Sequence, residues 1–207
     1  MSNNPNSSLP LKQVLERLKA AAVLPFEQAV PIPAALNHSR EFLQQESKNI
    51  FTKEWICVCR EDEVSSPGDF ITHEIAEVPV IVIRQQNGDI GAFVNACAHR
   101  FACLVPGSKG SAKKFTCRYH GWTYDNSGQL IGAPKMEMKS GFDKSQHRLR
   151  ILAFNVWQGF VYVSLADKPS TQLNEVLAPF QEGVVGRYDM ACYQTKIRES
   201  MVWNANW

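Results

Sequence analysis

Hydrophobic residues change their spacing along the chain, and each change marks a different kind of element. Leu11, Val14, Leu15, Leu18 and Ala22 recur at helical intervals in LKQVLERLKAAAV, and Pro25 ends the pattern. Ser39 is then placed to cap a second helix, along which Phe42, Glu46 and Ile50 step down one side. From Trp55 the runs become short, β-branched and aromatic, bounded by turn residues, which predicts antiparallel β-structure. The expected strands are Trp55–Arg60, Phe70–Ile75, Val80–Arg84, Ile90–Asn95, Lys114–Cys117, Trp122–Tyr124, Arg148–Trp157 and Phe160–Leu165. Asn87-Gly88 and Gln158-Gly159 read as hairpin turns and Asp125–Gly128 as a further turn. Residues 132–147 are polar and broken by Gly132, Pro134 and Gly141, so an irregular segment wrapping the surface is expected there. Beyond Pro169, Ser170 or Thr171 is placed to cap a third helix through Leu173, Val176, Leu177 and Phe180, ending near Gly183–Gly186. The final CYQTKIRESMVWNANW reads as a strand, and the Asn- and Ser-rich residues 1–8 as disordered. The fold class is therefore mainly β, an antiparallel domain flanked by helical segments.

Composition narrows the function classes. The 207 residues suffice for one domain, or one domain with pieces of another. Twenty-two basic against twenty acidic residues leave a net charge of +2 with no long block of one sign, so neither nucleic acid nor an anionic membrane is an expected partner. The first residues lack the charged and apolar regions of a signal peptide, and no apolar run is long enough to span a bilayer. A cytoplasmic location is expected, with the six cysteines reduced. Cys57 and Cys59 alternate in Trp55–Cys59 and are expected to pack together on one strand face. Lys109, Lys113 and Lys114 read as a solvated loop, or as a guide for an acidic electron donor.

The chemistry concentrates in CAHRFACLVPGSKGSAKKFTCRYHGW, residues 97–122. Cys97-Ala98-His99 and Cys117-Arg118-Tyr119-His120 are separated by seventeen residues, 100–116, and each supplies one thiolate and one imidazole. C-x-H followed by C-x2-H is the pattern of a Rieske [2Fe–2S] centre, in which two cysteines hold one iron and two histidines the other. A structural zinc ion also accepts Cys2His2, but zinc modules pair like with like, whereas each loop here is mixed. His38, His73 and His147 lack a partner motif and read as ordinary surface or core histidines.

Around these residues the sequence resembles the alpha, or large, subunit of Rieske non-haem iron oxygenases, the family of aromatic-ring-hydroxylating dioxygenases and quaternary-amine monooxygenases. The resemblance runs from Ile50–Trp55 through Pro67-Gly68-Asp69 and Cys97–Tyr124 to Ala133–Glu137 and the final Ala205-Asn206-Trp207. Two positions depart from the pattern: Phe101 stands where the family commonly has glycine, and Cys103 where cysteine is not expected. Respiratory-type Rieske proteins, which are also similar, carry a second cysteine in each loop and a serine where Trp122 stands. Fewer hydroxyl donors to sulfur imply a potential low in the Rieske range.

The resemblance implies Cys97, His99, Cys117 and His120 as cluster ligands, with electrons arriving from a reductase or ferredoxin and passing to a mononuclear Fe(II) that activates O2. It implies homo-oligomers, with His120 facing a carboxylate of a neighbouring subunit. It also assigns 1–53 and 167–207 to a catalytic domain interrupted by a Rieske domain at 54–166. The facial triad of that domain is not found in this sequence, so a partial chain that carries electrons without oxygenating is expected, its apolar end at Met201, Val202, Trp203 and Trp207 covered in a longer protein. A stand-alone ferredoxin-like carrier and a zinc-stabilised binding module are the alternatives.

Overall fold

The computed structural model of the chain describes residues 10–136 and 138–201. Residues up to Ile50 together with those from Arg198 form one compact unit, and Phe51–Ile197 form the other.

In the first unit, α1 spans Leu11–Ala22 and buries Val14, while Leu36 is buried from a 3-10 segment at Ala34–His38. Helix α2, Arg40–Glu46, begins as its sequence predicts: the Ser39 hydroxyl accepts the Phe42 amide at 3.1 Å. Residues 1–8 and 202–207, including the closing Asn-Trp, lie outside the described residues.

The second unit contains strands β1 (Ile56–Arg60), β2 (Asp69–Ile75), β3 (Val78–Arg84), β4 (Ile90–Val94), β5 (Lys109–Ser111), β6 (Lys114–Thr116), β7 (Thr123–Asp125), β8 (Leu130–Gly132), β9 (Ala153–Trp157) and β10 (Phe160–Ser164). They form three antiparallel sheets ordered β1-β10-β9, β4-β3-β2-β5 and β6-β7-β8. In the middle sheet, β3 is buried on both faces. Along β3, Val80 and Val82 point into a core shared with Val58, Val161 and Val163, while Ile81 and Ile83 point into one containing Cys97, Cys117, Trp122 and Tyr124. This is why Val78–Ile83 is apolar throughout and does not alternate with polar residues.

Several expectations are corrected. Short β5 and β8 are corrections: the polar Lys109–Ser111 pairs with β2 and the short Leu130–Gly132 with β7, so each becomes an edge strand. Residues 148–152 are not a continuous strand, because they cross between sheets, touching Gln129 through Arg148 and Phe93 through Ile151. Cys57 and Cys59 do not share an environment: a bulge between them breaks the alternation, leaving Cys57 exposed and Cys59 buried. Helix α3, Leu173–Phe180, is capped at Gln172, whose amide donates to the Glu175 carboxylate at 3.3 Å. The Thr171 carbonyl is taken instead by the Trp55 indole at 2.8 Å. Residues 193–201 form no strand, since Thr195 spends its amide on the Asp62 side chain at 2.6 Å and not on a backbone ladder.

Candidate metal centre

The two Cys-His loops fold alike although their sequences differ. In the first, the Cys97 amide donates to Ala102 O at 2.9 Å and the Phe101 amide returns to Cys97 O at 2.8 Å. In the second, the Cys117 amide donates to Trp122 O at 2.8 Å and the Gly121 amide returns to Cys117 O at 3.0 Å. Each tip therefore closes on its own cysteine. The residue that closes it lies in the left-handed region, Phe101 at φ 57° and Gly121 at φ 71°. Glycine adopts this conformation freely and phenylalanine does so at a cost, so Phe101 keeps the family turn with its side chain pointing into solvent.

The second loop springs from the β6–β7 hairpin, whereas the first follows β4 and is closed by one bridge, Ala96 to Cys103. Asn95, buried beneath it, holds Val105 by both backbone groups, donating to the carbonyl at 2.8 Å and accepting the amide at 3.1 Å. Cys103 is exposed and forms no disulfide.

This arrangement sorts the four candidate ligands by type. Cys97 and Cys117 are buried side by side, at 1% and 3% exposure, while His99 and His120 are exposed with ring centroids 4.7 Å apart. Burial pushes the Cys97 thiol up, against the lowering effect of the Tyr124 hydroxyl and the His99 amide, and the Cys117 thiol beside it pushes further. Among the described residues, no group of three or more His, Cys, Asp or Glu side chains converges on a single-ion site. Two like pairs, one inside and one outside, fit a two-iron cluster whose irons take different ligands better than a single tetrahedral ion.

Two contributors were not recognised in the sequence. The Tyr124 hydroxyl lies 3.2 Å from Cys97 Sγ and accepts the Ala98 amide at 3.0 Å. Burial and the Cys97 thiol push its pKa up, so the phenol stays protonated beside Cys97. One sulfur thus has the hydroxyl partner that the missing serine was expected to deny it; Trp122, just ahead of β7, and Tyr124, within it, are both buried in the core that holds Cys97. The other is His147, read as an ordinary histidine. It sits edge-on to Trp122 at 5.6 Å, and Trp122 stacks on His99 at 4.8 Å with ring planes 11° apart. His73 is half-buried in β2, and His38 is exposed at the end of its 3-10 segment.

Comparison with known proteins agrees with this geometry. Residues 54–150 match the Rieske [2Fe-2S] domain. The chain is 35% identical over 162 residues to the glycine betaine monooxygenase oxygenase subunit of Chromohalobacter salexigens, covering 78% of this chain and 36% of that one. It is 39% identical over 139 residues to the anthranilate 1,2-dioxygenase large subunit of Acinetobacter baylyi, covering 66% and 29%. Among solved structures, naphthalene 1,2-dioxygenase from Rhodococcus sp. superposes with a TM-score of 0.71 at 27% identity, covering 89% of this chain and 40% of that one. A quaternary ammonium Rieske monooxygenase superposes at 0.67 and 30% identity, covering 73% and 43%. The chain thus spans well under half the length of these relatives. It carries a Rieske [2Fe-2S] domain, and over most of its length it is similar to these Rieske oxygenase subunits.

Proposed function

We propose that Cys97 and Cys117 hold one iron of a [2Fe–2S] cluster and His99 and His120 the other, and that the domain passes electrons to the oxygen-activating mononuclear iron of a ring-hydroxylating or related mono-oxygenase. The observation that carries this reading is the sorting of ligands across two matching loops, thiols inward and imidazoles outward. When bound, the cluster supplies one-electron chemistry. The chain's own residues hold it and tune it: the buried thiols exclude water from one side, Tyr124 donates towards Cys97, and the two imidazoles present the other side to a redox partner.

Exposed Arg100, Arg118, Lys109, Lys113 and Lys114 lie on these loops and between them, which suits an acidic donor such as a reductase or ferredoxin. Among the described residues no helix is long and apolar enough to cross a membrane. On this reading the parent oxygenase is a cytoplasmic homo-oligomer. Residues 1–53 and 167–207 are assigned to the catalytic domain. The Ser164 hydroxyl donates to Lys53 O at 3.1 Å and so brings the two ends of the β region together, as expected of an insert, while residues 167–197 group with the β region in one compact unit.

Iron and acid-labile sulfide assays test the ligands. Cys97→Ala and Cys117→Ala should lose iron, whereas His99→Cys and His120→Cys should keep a cluster of lower potential, because thiolate adds negative charge. A full cluster retained in Cys117→Ala overturns the assignment. A colourless, zinc-loaded native chain favours the binding module.

A further inference from the structure

The segment between β8 and β9 was expected only to wrap the surface, yet it delivers two aromatic rings to the metal centre. Phe142 lies 5.8 Å from Trp122, His147 lies edge-on to the same indole at 5.6 Å, and the two stack on each other at 4.9 Å with planes 18° apart. Trp122 is buried, and its free face lies flat against the His99 imidazole. His99 itself is exposed. Stacking on Trp122, with the His120 ring at its edge, therefore restrains a ring that solvent would leave free to rotate.

This set of rings is fastened from behind by hydrogen bonds. The Gln129 side-chain amide, in the turn between β7 and β8, donates to His147 O at 2.9 Å, Lys144 O at 3.0 Å and Ser145 O at 3.3 Å. The Leu130 amide also donates to His147 O, at 3.0 Å. Asp143 ties the turn between the two rings by accepting the Ser145 amide at 2.8 Å and its hydroxyl at 2.7 Å. A cleft of about 660 Å³ bordered by Gln129, Phe142 and Lys144 opens beside Phe142. With open space on that side, the hydrogen bonds keep the rings pressed against Trp122.

We infer that Phe142 and His147 are positioning residues for the iron–sulfur centre: through Trp122 they set the plane of the His99 ring, and with it the retention and redox properties of the cluster. The inference rests on the ligand assignment proposed above. His147 acts by packing, so His147→Phe should preserve what His147→Ala removes.

The test compares the cluster-loaded chain with Phe142→Ala, Phe142→Tyr, Gln129→Ala, His147→Ala and His147→Phe. Iron release to a chelator, the reduction potential, and the electron paramagnetic resonance and histidine-nitrogen couplings of the reduced cluster are followed. An aromatic pair is worth enough beyond simple burial that losing one should speed iron release about two- to tenfold. Phe142→Ala, His147→Ala and Gln129→Ala should show this acceleration with shifted histidine couplings, and Phe142→Tyr and His147→Phe should match the native chain. Gln129→Ala leaves every ring in place and only unfastens the segment, so it carries the test if Phe142→Ala does not fold. A native chain without the Rieske resonance overturns the ligand assignment and the buttress with it. A native chain that has the resonance, with Phe142→Ala and Gln129→Ala indistinguishable from it in release rate and couplings, overturns the buttress alone.

Discussion

Tyr124 is the residue whose chemistry the structure changes most. A hydroxyl donating to a cluster sulfur stabilises the reduced form, which carries one more negative charge, so removing it should lower the potential. One hydrogen bond of ordinary net strength corresponds to about 20–60 mV in a one-electron couple. Tyr124→Phe should therefore shift the midpoint downward by that amount while leaving iron content unchanged, as redox titration would register. An unchanged midpoint would mean that the 3.2 Å approach to Cys97 is mere packing. Phe101 poses the opposite case, a departure from the family pattern that alters strain and leaves geometry intact: the turn closes with the same backbone bond to Cys97 that Gly121 makes to Cys117.

Among the elements, β1 does more than pair with β10. Arg60 at its end lies over the Phe160 ring at 4.7 Å and donates to Met190 O and Tyr193 O at 3.0 and 2.6 Å. Asp62, two residues on, accepts the Thr195 amide and hydroxyl at 2.6 and 3.0 Å. Gly159 makes room for this clamp, since a β-carbon there would fall 2.6 Å from the guanidinium. The stretch 190–195 is thus strapped to the β-domain by side chains. Burial would raise the Asp62 pKa, but the Thr195 hydrogen bonds and the Arg60 charge outweigh it and hold the carboxyl below its ordinary value. A lowered folded pKa contributes stability that is present above the unfolded carboxylate pKa and lost as pH falls through the folded one. The strap should accordingly hold at neutral pH, begin to weaken once the pH falls below the ordinary carboxylate pKa, and release as it falls through the lowered folded value. The Thr195 amide resonance, followed from pH 7 downward, should move with one acidic transition that is absent in Asp62→Asn. A Thr195 shift that is flat across the acid range would count against the clamp.

For the molecule as a whole, the β-region holds a cluster site, and no single-ion site occurs among the described residues. The chain of 207 residues, loaded with iron and sulfide and supplied with a reductase, should accept one electron per cluster, which electron paramagnetic resonance of the reduced chain would register; a chain that takes up no electron would overturn the cluster reading.

The cofactor was legible in the residues themselves: two thiols and two imidazoles at C-x-H and C-x2-H spacing point to a two-iron centre before any fold is known, and residues 54–150 match the Rieske [2Fe-2S] domain, while the four ligands stand as proposed. Local structure was legible where local forces decide it, in the Ser39 cap, the Asn87-Gly88 and Gln158-Gly159 turns, and the strands with strong apolar runs. Tertiary structure alone decided the rest. Edge strands β5 and β8 exist because neighbours offer them hydrogen-bonding partners, and the Cys57–Cys59 alternation fails because a bulge, invisible to periodicity, shifts the register. Tyr124 and His147 carry no motif, and a contact across 27 residues to Cys97 and one from a segment read as surface to Trp122 place them beside the candidate cluster loops. Side chains far apart in sequence meet only when the sheets that carry them pack, so spacing names the ligands and packing chooses what surrounds them.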